Sequence, residues 1–189
     1  MIEVYRYEQS LAEVSEIFDP IIFLAGPTVR GHQQHLGKSW RYDAIAEFEK
    51  QGFDGILIVP EFSDPAESDK DKTWIPAWEY TGLCVSDINM FWIPRTRELI
   101  GLTTNHEHGY WLGRYPSKVV YGRPNDAYRI KYLDLMYDYT RVDAKMALPP
   151  ICNTLAETVE MAIYRSKLPL GGGSIKTQIA VDSPYNKEK

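Results

Sequence analysis

Continuous apolar runs alternate with helical patterns along most of the chain. Four of these runs, at residues 21–26, 56–59, 88–93 and 118–122, are bounded by turn residues. Such runs are typical of strands that helices cover on both faces, because these strands need no polar side. A further run at residues 147–151 predicts a short fifth strand.

Segments with apolar residues at helical spacing separate the predicted strands. Ser39 can cap a helix in which Trp40, Ala44 and Phe48 share one face. Further helices are predicted at residues 75–85, from Thr104 onward, and at residues 128–139 and 154–167. Alternating strands and helices form a parallel sheet through right-handed crossovers. The predicted fold class is therefore α/β, a doubly wound parallel sheet of about five strands with helices on both faces.

The pattern also predicts a single domain with a C-terminal extension. Residues 1–167 have the length of one ordinary domain. The glycine-rich stretch after residue 167 has linker composition, so residues 168–189 are predicted to be a flexible tail or an arm that reaches a neighbouring subunit. Residues 64–72 are rich in charge and predict a solvated loop, the best candidate for a mobile flap.

Composition restricts the class of protein and of partner. Hydrophobic residues make up 44% and charged residues 25% of the 189 residues, which is typical of a soluble globular protein. The formal net charge of −5 predicts neither polymeric nucleic acid nor an acidic membrane as a partner. The first residues lack a signal-peptide pattern and no apolar run has the length of a membrane span, so we expect a cytoplasmic protein.

Glu107 is the first candidate for chemistry, because it lies in the first turn of the predicted helix that follows the third strand. Open α/β sheets bind ligands at the carboxyl ends of their strands, where a helix N-terminus also favours negative charge. Thr104 and Glu107 equally have the spacing of a capping box, in which the carboxylate bonds the backbone instead of reacting. Spacing alone leaves both interpretations open.

Glu79 is the second candidate, on the helix before the same strand. Two carboxylates around one strand end can cleave a glycosidic bond, when one attacks the anomeric carbon and the other handles a proton. The alternative is an exposed helix glutamate, although Trp74 and Trp78 nearby favour an aromatic cleft. The Gly26-Pro27 turn after the first run would let a ligand approach the backbone, or is a turn only.

Other chemistries find little support in the sequence. His106 and His108 are two residues apart and would point to different sides of a helix, so no metal site is predicted. The chain has no G-x-S-x-G elbow and no glycine-rich phosphate loop. Cys84 and Cys152 are far apart and are more typical of buried thiols than of a disulfide.

Taken together, four motifs resemble the nucleoside 2-deoxyribosyltransferase-like family. They are the first strand with Gly26-Pro27-Thr28, Trp78-Glu79 eight residues before Asp87, the run at residues 87–94, and Thr103-Thr104-Asn105-x-Glu107-x-Gly109. The resemblance covers about residues 20–165. That family includes transferases that exchange nucleobases on deoxyribose and related nucleotide N-glycoside hydrolases. The resemblance implies a flavodoxin-like sheet, a homo-oligomer and no cofactor.

The resemblance also implies site residues. Glu107 is the implied nucleophile, and Glu79 is the implied acid near the base and sugar. The implied substrate contacts are Gly26, Pro27, Thr28, Asp87, Thr103, Thr104 and Asn105. Six residues before the nucleophile the family carries Asp or Ser, whereas this chain has Gly101, which leaves Thr103 or Thr104 for sugar recognition.

The expected reaction is cleavage of a (deoxy)nucleoside through a glycosyl ester on Glu107, followed by transfer of the sugar to a free nucleobase. We expect the helix N-terminus and a Thr or Asn hydrogen bond to keep Glu107 ionised. The first alternative is a nucleoside 5′-monophosphate N-glycoside hydrolase, in which Arg30 lies near the phosphate unless it is a plain loop arginine. A second is a non-catalytic nucleotide-binding module on the same fold.

Overall fold

Five parallel strands form the central sheet, in the order β1-β3-β2-β4-β5. The computed structural model describes residues 1–12, 14, 20–64, 66–67, 72–143 and 148–168. The strands are β1 (Ile2–Tyr5), β2 (Ile21–Ala25), β3 (Gly55–Ile58), β4 (Ile88–Trp92) and β5 (Val119–Gly122). The doubly wound α/β class predicted from the apolar runs is confirmed.

Helices cover both faces of the sheet. In the described part of the chain they are α1 (Trp40–Lys50), α2 (Ile75–Val85), α3 (Leu102–Arg114), α4 (Lys131–Asp143) and α5 (Leu155–Ser166). The helices α1 and α5 pack on one face, and α2, α3 and α4 pack on the other. This double cover explains why β2, β3, β4 and β5 are buried at every position and why their sequences are apolar throughout.

The fifth strand is not the predicted one. Residues 148–151 form no strand, residue 147 lies outside the described residues, and Cys152 makes a single parallel bridge with Gly122. The N-terminal strand β1 pairs instead with β3 at the sheet edge. Its residues are only partly buried and include Glu3, as an edge strand allows, so β1 lacks the continuous apolar run by which the other strands are recognised.

The chain reverses its direction across the sheet at β2. From β2 the chain passes to β3 on one side, and from β3 it crosses over to β4 on the other side. Connections diverge at such a switch point and leave a crevice at the carboxyl ends of the two strands. Residues 26–28 follow β2, and residues 93–101 lead from β4 into α3. The fold therefore brings the Gly-Pro loop and the beginning of α3 to one crevice.

Two helices begin two or three residues away from the predicted positions. Gly101 is the N-cap of α3, with φ 63° and ψ 60°, and Leu102 is its first residue. Glu107 therefore lies in the second turn, and the capping-box interpretation of Thr104 and Glu107 is wrong. α4 begins at Lys131 and ends at Asp143, three to four residues later than predicted, because residues 128–130 still belong to the loop after β5. α2 has the predicted bounds.

Some sequence predictions concern segments outside the described residues. The predicted tail lies there from residue 169 onward, as do residues 65 and 68–71 of the predicted flap. None of the helices in the described ranges combines the length and the apolar composition that a bilayer crossing requires.

Gly26 provides a test of the close packing at the end of β2. A Cβ atom there would lie 2.2 Å from the carbonyl oxygen of Trp92 and 2.7 Å from the Trp40 ring, and φ is +155°. We expect Gly26→Ala to lower the free energy of unfolding in urea by about 3 kcal/mol or more, through steric overlap and backbone strain.

Gly113→Ala is the matched control, because a Cβ at this position of α3 meets nothing within 4 Å. This control is expected to raise stability by about 0.5–1 kcal/mol, since alanine favours the helix. Equal effects of the two substitutions would contradict the described packing.

Candidate functional site

The guanidinium of Arg41 holds the loop that follows β2. It donates hydrogen bonds to the carbonyl oxygens of Leu24 at 2.9 Å and Gly26 at 2.8 Å, and to the hydroxyl of Thr28 at 3.1 Å. Arg41 enters this position because it is the second residue of α1, whose N-cap Ser39 accepts a hydrogen bond from the Arg41 backbone. The chain leaving the strand is thereby fixed although it has no regular secondary structure.

A buried ion pair with Glu61 holds the guanidinium of Arg41 in place. Its Nη1 lies 2.7 Å from Oε1 of Glu61, and the two side chains are 1% and 9% exposed. The hydroxyl of Ser39 donates to the same carboxylate oxygen at 2.6 Å. A buried pair is tolerated only when its groups are well hydrogen-bonded, because both charges have lost their hydration. These contacts therefore make Arg41 a rigid part of the crevice wall.

Pro27 is held by the neighbouring residue of α1. The indole Nε1 of Trp40 donates to the Pro27 carbonyl oxygen at 3.0 Å. The predicted contact residues Gly26, Pro27 and Thr28 thus lie at the switch point, as expected for a ligand-binding loop. Three of their oxygen atoms, however, are already engaged by Trp40 and Arg41.

Glu79 reaches the crevice from α2 and accepts a hydrogen bond from the hydroxyl of Tyr7. Burial raises the pKa of Glu79, while the Tyr7 hydrogen bond and the positive charges of Arg41 and Arg30 act in the opposite direction. Burial and the negative charge of Glu79 together raise the pKa of Tyr7, which therefore keeps its proton and remains the donor. The predicted alternative, an exposed helix glutamate, does not describe Glu79.

Glu107 faces the same crevice from α3. Burial and, after it, the negative charge of Glu79 raise the pKa of Glu107 to about 8, against a smaller lowering by Arg41. The negative charge of Glu79 thus favours the protonated form of Glu107 at neutral pH. The expectation that the helix N-terminus keeps Glu107 ionised is wrong, because its carboxylate leaves the helix in the second turn, beyond the range of the terminal dipole.

Aromatic rings line the crevice beside Glu79. The ring of Tyr7 lies 4.8 Å from that of Phe62, 4.9 Å from that of Trp78 and 6.0 Å from that of Trp74. The Lys72 ammonium lies 4.3 Å from the centre of the Phe62 ring. Trp74 is 43% exposed and presents a free aromatic surface. A planar ligand can stack here within reach of the carboxylates.

The residues before Glu107 divide between two sides of α3. Thr103 and Thr104 lie four and three positions earlier, so both share the side of Glu107; Thr103 is exposed and Thr104 is buried. Asn105 turns away and accepts a hydrogen bond from the guanidinium of buried Arg95. Of the predicted contacts on this helix, Thr103 is therefore the one most open to a ligand.

Gly101 has a structural reason in this chain. A Cβ atom at this position would lie 2.9 Å from the Cβ of Pro27, and φ is +63°. The left-handed backbone and the contact with Pro27 together require glycine. The start of α3 is therefore seated on the loop after β2, and no side chain at position 101 can reach a sugar.

The two histidines that flank Glu107, His106 and His108, have very different surroundings. His108 is buried among the rings of Phe91, Tyr121 and Tyr137, and burial lowers its pKa to about 4. His106, two positions earlier, is exposed. Within the described ranges, no group of three or more His, Cys, Asp or Glu side chains is arranged to hold a metal ion.

Two predicted contact residues occupy very different places. Arg30 is exposed on the loop after β2, close enough for its charge to lower the pKa of Glu79. Asp87 lies just before β4, at the amino-terminal end of the strands. There its carboxylate accepts a hydrogen bond from the Ile21 backbone amide at 2.8 Å. The structure does not bring Asp87 to the crevice, because it precedes its strand whereas the crevice lies at the strand's carboxyl end.

Three residues of the crevice wall escape the sequence analysis: Tyr7, Arg41 and Glu61. Arg41 does leave a signal, since it falls three and seven positions before Ala44 and Phe48, on the buried face of α1. A charged residue on an apolar helix face indicates a buried ionic contact. Tyr7 and Glu61 leave no such signal, because each follows the end of a strand in irregular chain.

The chain matches no protein-family model, and a search of curated proteins finds no match.

The raised pKa of Glu107 predicts how stability depends on pH. Between its ordinary value near 4.5 and about 8, the unfolded chain is ionised at Glu107 while the folded protein holds a proton, so the wild type loses stability as pH rises through this range. We expect the free energy of unfolding in urea at pH 8.5 to be higher for Glu107→Gln than for the wild type. This difference should exceed the difference at pH 5 by on the order of 2 kcal/mol.

Glu47→Gln serves as the control, because hydrogen bonds from Gln51 and Lys50 hold the pKa of Glu47 below its ordinary value of 4.5. Glu47 is ionised in both states above pH 5, so the effect of its substitution should not change up to pH 8.5. A Glu107→Gln effect that is equally constant would contradict the buried carboxyl pair.

Proposed function

We propose that the chain is a nucleoside 2-deoxyribosyltransferase-like enzyme, which cleaves the N-glycosidic bond of a (deoxy)nucleoside and transfers the sugar to another base. The observation that carries this proposal is the pair of partly buried, interacting carboxylates, Glu107 and Glu79, at the switch point of the sheet. Two carboxyl groups with different roles are what retaining cleavage of a glycosidic bond requires. Groups with strongly raised pKa values in a crevice favour a catalytic role.

In the reactive form, Glu107 carries the negative charge and Glu79 holds the proton. Ionised Glu107 attacks C1′ of the sugar, the bond from C1′ to the base breaks, and Glu79 gives its proton to the departing base. The transition state resembles an oxocarbenium ion, and the product is a glycosyl ester on Glu107. A second base then attacks C1′ from the vacated face, Glu107 leaves, and the proton of the incoming base returns to Glu79. The configuration at C1′ is retained.

The electrostatics of the pair define a resting form in which the proton lies on Glu107. With a pKa of about 8, Glu107 holds a proton at neutral pH while the Tyr7 hydrogen bond, Arg41 and Arg30 favour the charge on Glu79. The reactive form arises when this proton moves from Glu107 to Glu79. The net charge of the pair stays the same.

The surroundings of the pair suit a nucleobase. Half-exposed Trp74 offers stacking surface beside Tyr7, the donor to Glu79. Stacking of a base on such rings contributes about 1–3 kcal/mol and tolerates different bases. Exchange of one base for another needs a site with this tolerance.

The direct test is incubation with deoxyinosine or thymidine, with and without free adenine. We expect exchange of the base, and intact-mass measurement is expected to detect one deoxyribosyl group on the wild type. Glu107→Gln should lower the rate by at least about 10³-fold and abolish the adduct, as loss of a nucleophile does. His106→Gln, at an exposed neighbour on α3, should retain activity and the adduct.

Three other results of this assay would favour an alternative function or exclude the mechanism. Free base without any acceptor would support a hydrolase. Binding without turnover would support the non-catalytic nucleotide-binding module. Full activity of Glu107→Gln would exclude the covalent mechanism.

Hydrolysis of a nucleoside 5′-monophosphate is the second candidate, and the position of Arg30 favours it. Arg30 is exposed and its charge acts on Glu79, so a cation lies beside the proposed reacting atoms. A phosphate is a natural partner for an exposed guanidinium. In the same assay, consumption of the 5′-monophosphate in preference to the nucleoside, with water as the acceptor, would select this function.

Tyr7→Phe tests the role of Glu79. A pair that needs one proton gives a bell-shaped profile of kcat/KM against pH, with its alkaline limb near the pKa of about 8 of Glu107. The Tyr7 hydrogen bond lowers the pKa of Glu79, so its removal is expected to move the acid limb to higher pH.

Tyr80→Phe is the matched control, because its hydroxyl bonds Tyr110 instead of the pair. Its profile should equal that of the wild type. An acid limb that stays in place in Tyr7→Phe would exclude Glu79 as the group that ionises first.

A further inference from the structure

α4 carries a second apolar face that points away from the sheet. Leu133 and Tyr137 pack into the core, at 8% and 0% exposed. The exposed apolar residues of the same helix are Tyr132 at 70%, Leu135 at 47%, Met136 at 41%, Tyr139 at 58% and Val142 at 82%. Their spacing places all five on one stripe, roughly 120° wide. A helix that is apolar on two opposite sides is typical of a helix buried on both.

The size of this α4 stripe matches a protein interface. Five side chains exposed to this degree present roughly 500 Å² of apolar surface, near the upper end for the largest patch of a monomer. A polar rim brings such a patch close to the about 800 Å² that each partner contributes to a stable interface. Tyrosine and methionine, which supply three of the five residues, are enriched in interfaces.

We propose that the α4 stripe is the interface between two copies of this chain, which pack α4 against α4 in antiparallel directions across a two-fold axis. Such an interface uses the same patch twice and must therefore be complementary to itself. In this arrangement Tyr132 of each copy faces Tyr139 of the other, and Leu135 faces Met136. Aromatic residues then meet at both ends, with aliphatic side chains at the axis.

Charges beside the stripe favour this orientation. Lys131 and Asp138 are exposed, seven residues apart, and lie on the same flank of the stripe. In an antiparallel two-fold pair, equal flanks of the two helices meet, so Lys131 of one copy lies across from Asp138 of the other. The dimer thus forms two equivalent opposite-charge pairs at its rim. The α4 stripe and its charged flank share no residue with the carboxylate crevice, so the proposed dimer does not rest on the proposed function.

Two exposed tyrosines on different helices provide the central test. Tyr139 of α4 is 58% exposed and Tyr164 of α5 is 60% exposed. By sedimentation equilibrium of the full chain, we expect the wild type to be at least dimeric at micromolar concentration. Tyr139→Asp should raise the dissociation constant at least about 100-fold, whereas Tyr164→Asp should leave it unchanged. Circular dichroism and thermal melting verify that both variants fold.

A charge exchange tests the antiparallel orientation. Lys131→Glu and Asp138→Lys should each weaken association by about tenfold, and the double variant should restore it. A monomeric wild type, or an assembly that Tyr139→Asp leaves intact, would overturn the proposed interface. Single variants that weaken association without rescue in the double variant would overturn the antiparallel pairing.

Discussion

The ion pair between Arg41 and Glu61 is the constraint from which the geometry of the crevice follows. A guanidinium buried to 1% exposure must satisfy its donors within the protein, and Arg41 does so on Glu61 and on the loop after β2. That loop brings Gly26 against the backbone of Trp92 and Pro27 against Gly101. The contact with Gly101 seats the beginning of α3, and α3 carries Glu107. One buried charge therefore determines where a catalytic candidate two elements away can lie.

The same charge influences the protonation of the carboxylates. Arg41 lowers the pKa of both Glu79 and Glu107, but its effect is smaller than that of burial, since it is already paired with Glu61. The two acids are left with raised pKa values, and that of Glu107 is about 8. A protein gains no stability from such a pair, because a buried carboxyl that ionises only near pH 8 opposes folding above its ordinary pKa. A destabilising group of this kind is typical of sites kept for chemistry.

How far the sequence predicts this molecule depends on whether a residue's partners are local. Strands β2 to β5 are readable because burial on both faces demands continuous apolar residues, and Ser39 and the bounds of α2 follow from local helix signals. β1 is missed because an edge strand tolerates charge, and the start of α3 is missed because Gly101 adopts its left-handed backbone against Pro27. Asp87 was predicted as a substrate contact from its position in a motif. In the structure it accepts a hydrogen bond from the Ile21 backbone at the amino-terminal end of the strands, away from the crevice.

The fold class, the order of most elements and the two glutamates worth testing follow from the amino-acid sequence. Apolar periodicity and the position of a residue relative to a strand are properties of the local chain. The tertiary structure was needed to learn that Glu107 caps no helix, that Tyr7 donates a hydrogen bond to Glu79 and that Arg41 lowers the pKa of both acids. These contacts join residues from four separate segments. Desolvation and long-range charge then set the protonation of the pair, and neither exists until the chain has folded.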